Sequence, residues 1–156
     1  MEFINLKGQY LCLKEDIDRA ISEVLLQSNY IMGPQVMELE EKLASYVGRK
    51  YCITCGNGTD ALVLSLLAHG IGEGDVVFLP TFTYFATGEA VSRVGAKPVF
   101  VDSDLETYNI DTDDLALAIE EVVRKGENTP KAVIAVDLFG LPANYPEICK
   151  IANKYG

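Results

Sequence analysis

The sequence has little of what several chemistries require. Its 156 residues hold one histidine, His69, and 13 basic side chains against 23 acidic ones, a formal net charge of −10. No cluster of lysine and arginine occurs. Nucleic acid is therefore excluded as a partner, because displacing the counterions of a polyanion needs grouped positive charge. The acidic excess falls on predicted helices and turns, at Glu38, Glu40 and Glu41 and again at Asp111, Asp113, Asp114, Glu120 and Glu121. It reads as a solvated surface. No apolar run is long enough for a bilayer, and no charged segment leads into an apolar one as in a secretory leader. The expectation is a cytoplasmic protein with no membrane partner.

Metal and disulfide chemistry are also poorly supplied. Four cysteines in a chain of this size make no disulfide framework. Cys52 and Cys55 have the Cys-x-x-Cys spacing, but no second pair accompanies them, and on an apolar strand their side chains would project to opposite faces. No metal site is expected, and Cys12, Cys52, Cys55 and Cys149 are read as packing residues. His69 precedes Gly70 and reads as a helix C-terminal residue that meets the last carbonyls.

What the chain does have is hydrophobic pattern, with 49% hydrophobic residues. Ile17, Ala20, Ile21, Val24 and Leu25 recur at helical spacing within residues 14–28, and Val36, Leu39, Leu43, Ala44 and Val47 do so after Gly33-Pro34. Beyond residue 50 the pattern alternates. Strands are expected near Tyr51 to Cys55, Val76 to Leu79, Pro98 to Val101 and Ala132 to Val136. Helices are expected near Thr59 to His69, Thr83 to Val94, Thr112 to Arg124 and Asn144 to Tyr155. Strands without polar alternation belong to a sheet covered on both faces. The fold class is thus α/β, a doubly wound, mostly parallel sheet. Residues 1–49 form an N-terminal helical segment, and residues 50–156 form the sheet domain. No repeat or low-complexity tract occurs.

The segment Cys52-Ile53-Thr54-Cys55-Gly56-Asn57-Gly58-Thr59-Asp60-Ala61-Leu62 runs from an apolar stretch through a glycine-rich corner into a helix. Gly56 and Gly58 allow close approach of backbone to an anion, Thr59 can cap the helix, and unpaired N–H groups face outward. Taken locally, phosphate cradle and simple structural turn are equal readings. A second corner, Pro80-Thr81-Phe82-Thr83-Tyr84-Phe85-Ala86-Thr87, opens a helix at the end of the next strand, where ligands collect in doubly wound folds.

Four blocks now stand in one order: Asn29-Tyr30-Ile31-Met32-Gly33-Pro34 with Glu38-Leu39-Glu40-Glu41, the Gly56 to Leu62 corner, the Pro80 to Thr87 corner, and Gly95-Ala96-Lys97-Pro98-Val99-Phe100-Val101-Asp102. In these the sequence resembles the DegT, DnrJ, EryC1 and StrS family of sugar aminotransferases that use pyridoxal 5′-phosphate. The resemblance covers nearly the whole chain. It implies part of the large domain of an aspartate-aminotransferase-like, fold type I enzyme, with residues 50–156 an incomplete cofactor-binding large domain. It implies amino transfer from a donor, glutamate in this family, to a keto group on a nucleotide-linked sugar, by a homodimer. The runs Phe100 to Asp102 and Thr107 to Asp111 look most like members acting on nucleotide-linked amino sugars.

The resemblance also implies site residues. Gly58, Thr59 and the Asp60 N–H correspond to the phosphate anchor, with the Asp60 carboxylate turned away. Tyr84 corresponds to the ring that stacks on the pyridine; core packing is its alternative, a role that suits Phe82 or Phe85 better. Tyr30 and Gly33 correspond to a segment near the substrate cleft, although loop closure before a Pro-initiated helix accounts for them nearly as well. Glu89 is a candidate substrate contact and equally a solvated or capping carboxylate. Asp102 and Asp104 read as turn residues, and Asp137 stands at the end of the fourth strand, where many members carry histidine.

Family members are more than twice as long. They continue into a strand with the aspartate that pairs with the pyridine nitrogen and a Ser-containing loop with the Schiff-base lysine. No serine here is followed three residues later by lysine, so no catalytic residue is expected within the chain. The expectation is the N-terminal part of a longer enzyme, whose 156 residues alone bind cofactor weakly at most. In the family's strand order the Tyr51 to Cys55 strand has no neighbour among these residues, and each buried unpaired backbone group would cost roughly 1–3 kcal/mol. Two alternatives stay open: a truncated, non-catalytic binder of phosphate or sugar nucleotide, and a related sugar dehydratase.

Overall fold

The computed structural model describes residues 4–155. The chain divides into two compact units, one up to Thr54 and one from Cys55 onward.

The first unit is helical. Helix α1 runs Leu6–Gln27, and its N-cap is Asn5, whose Oδ1 accepts from the Gly8 N–H at 2.7 Å. It begins eight residues before the expected start, because Lys14, Glu15 and Asp16 lie in mid-helix. Lys14 pairs there with Asp18, and Arg19 with Asp16. Ser28 ends the helix in the left-handed conformation. Helix α2 spans Pro34–Tyr46, with Pro34 in its first turn, where a missing N–H costs nothing. Gly48, at φ +65°, follows its end, and the next N–H, that of Arg49, returns to the Ala44 carbonyl at 2.8 Å.

Residues 51–55 form no strand, contrary to expectation. A strand needs a neighbour to take its N–H and C=O groups, and the Thr54 N–H is met by a side chain instead. Glu40 Oε1 accepts from both Thr54 N and Thr54 Oγ1 at 2.8 Å. These bonds, the backbone one first, hold the Glu40 carboxyl below its ordinary pKa. The cysteines depart from expectation as well. Cys12, Cys55 and Cys149 are exposed and Cys52 is half-buried, so burial does not explain them.

The second unit contains α3 (Gly58–Ala68), β1 (Asp75–Pro80), α4 (Ala86–Arg93), β2 (Lys97–Val101), α5 (Thr112–Lys125), β3 (Thr129–Val133) and α6 (Tyr145–Tyr155). The strands form a parallel sheet in the order β2-β1-β3. The crossovers run in opposite directions, so right-handed connections put α4 and α5 on opposite faces. The core follows that division. Val76 and Phe78 pack with Leu115, Ile119, Ile148 and Ile151 from α5 and α6. Val77 and Leu79 pack with Leu66, Ala90 and Val91 from α3 and α4. Val76 to Leu79 are each no more than 1% exposed, as a central strand without polar alternation requires.

β3 sits three residues before its expected place. Its pairing with β1 shifts register between Val76 and Val77, which accommodates Pro130 beside a bulge. His69 caps α3 as expected, with Nδ1 2.9 Å from the Ser65 carbonyl oxygen. No helix among the described residues is long and apolar enough to cross a membrane.

Candidate functional site

The Gly58 corner folds as a helix N-terminus, with one change in who caps it. Asn57, not Thr59, is the N-cap: its Oδ1 accepts from the Asp60 N–H at 2.9 Å, and its Nδ2 donates to Asp60 Oδ2 at 2.9 Å. The Asp60 amide is therefore engaged. The Gly58 and Thr59 amides and the Thr59 hydroxyl make no hydrogen bond among the described residues, and a Cβ built on Gly58 would meet nothing within 4 Å. Two free N–H groups, a free hydroxyl and open space at the positive end of an 11-residue helix fit a phosphate. The Asp60 carboxylate turns back to Asn57, and Arg93 Nη1 lies 3.9 Å from its Oδ1. That guanidinium offsets part of a negative charge which would otherwise oppose the anion.

Tyr84 stands on the loop between β1 and α4, 80% exposed, with its phenol free among the described residues. Core packing does not account for it. The rings expected to be buried in its stead, Phe82 and Phe85, are 50% and 79% exposed. The loop is fixed around Tyr84 by backbone and hydroxyl bonds: Thr81 N–H to Val101 O at 2.9 Å, Thr87 N–H to Tyr84 O at 3.0 Å, and Thr83 Oγ1 against Thr87 Oγ1 at 3.1 Å. Glu89 follows in the first turn of α4, half-buried. A cavity of about 500 Å³ brings Tyr84 and Glu89 together with Thr81, Thr83, Phe85 and Phe100; Gly58, Thr59 and Asp60 do not line it.

The remaining strand ends carry turns. Asp104 Oδ1 accepts from Thr107 N and Thr107 Oγ1, both at 2.7 Å, and from Glu106 N at 3.2 Å. The Thr107 hydroxyl is the main cause of a lowered Asp104 pKa. Asp137 spends its carboxylate on the approach to α6, accepting from Ala143 N at 3.0 Å and Tyr145 Oη at 2.9 Å. That bond is the first cause of the raised Tyr145 pKa, followed by burial and by the charge of Asp137. Sequence reasoning missed Asn57 as the cap. It also missed Asn109, which is 4% exposed and bonded to the Leu138 to Pro142 segment. The available signal for Asn57 was its place before Gly58, an ordinary N-cap residue.

In the first unit, Tyr30 is 63% exposed. Gly33 is buried, and a Cβ there would come within 2.7 Å of the Asn29 carbonyl oxygen, so close backbone approach explains this glycine without a ligand.

The model of the DegT/DnrJ/EryC1/StrS aminotransferase family matches residues 11–156. The chain is 50% identical to a UDP-2-acetamido-2-deoxy-3-oxo-D-glucuronate aminotransferase of Pseudomonas aeruginosa, over all of this chain and 42% of that protein. It is similar to a crystal structure of a DegT DnrJ EryC1 StrS aminotransferase from Brucella abortus, with 47% identity and a TM-score of 0.96, over 100% of this chain and 42% of that one. It also resembles the structure of ntda from Bacillus subtilis with bound cofactor PMP, with 33% identity and a TM-score of 0.78, over 90% and 31%. The chain thus spans about two fifths of the length of relatives it matches along its whole extent.

Proposed function

The chain belongs to the DegT/DnrJ/EryC1/StrS aminotransferase family, and from that premise we propose that the whole protein transfers an amino group to a keto group of a nucleotide-linked sugar with pyridoxal 5′-phosphate. The Pseudomonas relative acts on a UDP-linked 3-oxo sugar by its name, which supports the same substrate class here. Glutamate as donor, a homodimer and a cytoplasmic location belong to this reading and rest on the family resemblance.

The observation that carries the reading is the pair of unengaged amides at Gly58 and Thr59, at the head of α3. In this proposal the two N–H groups and the Thr59 hydroxyl hold the cofactor phosphate. Asp60 has a supporting part: its amide closes the cap with Asn57, and Arg93 tempers its carboxylate. Tyr84 lays its ring on the pyridine, and Glu89 faces the substrate. For the first unit, the family resemblance alone assigns Tyr30 and Gly33 to a substrate segment. When bound, the cofactor supplies the electron sink that amino transfer requires.

The test uses the full-length gene product, glutamate and a UDP-linked 3-oxo sugar. Formation of 2-oxoglutarate with one equivalent of amino sugar is expected. Thr59→Val should weaken cofactor binding by about tenfold, the scale of one lost hydrogen bond to a charged group. A full-length protein that takes up no cofactor, or that releases water from the sugar without consuming glutamate, would overturn the proposal.

A further inference from the structure

Asn109 is 4% exposed and reaches 29 to 33 residues along the chain. Its Nδ2 donates to the carbonyls of Leu141 at 3.0 Å and Pro142 at 3.3 Å, and its Oδ1 accepts from the Leu138 N–H at 3.1 Å. One side-chain amide thus ties both ends of the turn from Leu138 to Leu141. Between those ends Phe139 is held at φ 55° and ψ 19°, and Tyr108, the neighbour of Asn109, at φ 60°. Left-handed backbone is unfavourable for aromatic residues and persists only where the surroundings impose it. The two rings have a common target. Phe82 lies 5.8 Å from Tyr108 and 6.3 Å, edge-on, from Phe139, within the range of favourable aromatic pairs. Phe82 stands two residues before Tyr84 on the same short loop.

We propose that Asn109 is a positioning residue for the cofactor ring: by fixing the Phe139 turn and Tyr108, it clamps Phe82 and so sets the direction in which Tyr84 leaves its loop. The proposal rests on the reading of Tyr84 as the stacking residue. A neutral amide suits the task because it needs two donors for two carbonyls and an acceptor for one N–H, and only the Asn and Gln side chains combine an NH2 with a carbonyl oxygen. The strained turn needs such an anchor. Without it, Phe139 would relax to negative φ and its ring would swing from Phe82.

The experiment uses the full-length holoenzyme and reads visible circular dichroism per bound cofactor, which reports how the ring is held, alongside the cofactor dissociation constant and the melting temperature. Three variants are compared. Tyr84→Leu removes the stacking ring. Asn109→Ala removes the pin. Phe139→Leu removes only an 81% exposed ring and so keeps the fold if Asn109→Ala does not. The expected result is a loss of about half or more of the dichroic signal in all three, with cofactor affinity lower by about two- to tenfold, the worth of one aromatic contact. The Asn109→Ala and Phe139→Leu double variant should be no worse than Asn109→Ala alone, since both act through one path. If Tyr84→Leu loses the signal while the folded Asn109 and Phe139 variants keep it, the positioning role is overturned and stacking stands. If Tyr84→Leu keeps the signal, the stacking reading fails and takes the positioning role with it.

Discussion

Asn57 occupies the capping place that sequence logic gave to Thr59, and the exchange changes which groups are free. With Asn57 Oδ1 on the Asp60 amide, the Gly58 and Thr59 N–H groups and the Thr59 hydroxyl stay unbonded among the described residues. Asn57→Ala should therefore lower stability by about 1 kcal/mol through the lost cap, yet leave cofactor affinity undiminished, because it frees a third amide. Urea unfolding and cofactor titration of the full-length protein give both numbers. A loss of affinity as large as that of Thr59→Val would make Asn57 itself a ligand. The turn at Asp104 gives a second expectation, in pH. Its folded pKa is lowered, first by the Thr107 hydroxyl. The stability it contributes is thus present above the unfolded pKa and is lost as pH falls through the folded one. Thr107→Val should destabilise at neutral pH and lose that effect in acid, seen as urea midpoints that differ at neutral pH and draw together as the pH falls below the ordinary carboxylate range. An equal difference at both would place the effect outside this carboxylate. At this scale Tyr84 was singled out only by the family resemblance, and the glycine-rich Gly58 corner was legible from its loop composition. Asn109 was not, since only the fold brings the Leu138 turn beside it.

Elements were legible where one chain segment carries the whole reason for them. Helix α5 is the clearest case: Asp111 caps it through Asp113 N at 2.8 Å and Asp114 N at 3.1 Å, acids fill its first turn, Arg124 and Lys125 its last, and Gly126 closes it in the left-handed conformation. Asp114 also accepts from the Asp102 N–H at 2.7 Å, which fastens the helix to the end of β2. Leu115, fully buried next to that bond, carries the packing. Asp111→Ala should cost about 1 kcal/mol and Leu115→Ala about 2–5 kcal/mol, an order that denaturant midpoints check. Equal costs would mean that α5 is held by its cap and not by its apolar face. Strands were less legible, because pairing decides them. Residues 51–55 have strand composition and no strand neighbour among the described residues, so they stay irregular, and β3 begins at Thr129 because its register on β1 outweighs the reluctance of Pro130. The start of α1 was misplaced for a different reason: charged residues that suit a first turn also pair along a helix interior.

At the scale of the molecule, the doubly wound parallel sheet was legible from uninterrupted apolar strands, while the degree of exposure was not. Leu26, Ile31, Ile53, Phe85, Leu105 and Phe139 are each 79% exposed or more, and α1 contains no buried residue. β3 pairs on one side only among the described residues, with β1. Single exposed apolar side chains need no explanation, but an open parallel edge leaves a row of unpaired N–H and C=O groups that can pair with another chain. Parallel sheets are otherwise found with their faces and neighbours supplied. A polypeptide of only these 156 residues should therefore self-associate and bind the dye ANS, while the full-length gene product should bind less ANS and show no concentration-dependent aggregation. Sedimentation velocity at two concentrations and ANS titration decide this. A 156-residue species that stays monomeric and dark to ANS would mean that the apolar faces are tolerated in water, and the expectation that they are covered in the working protein would lose its physical basis.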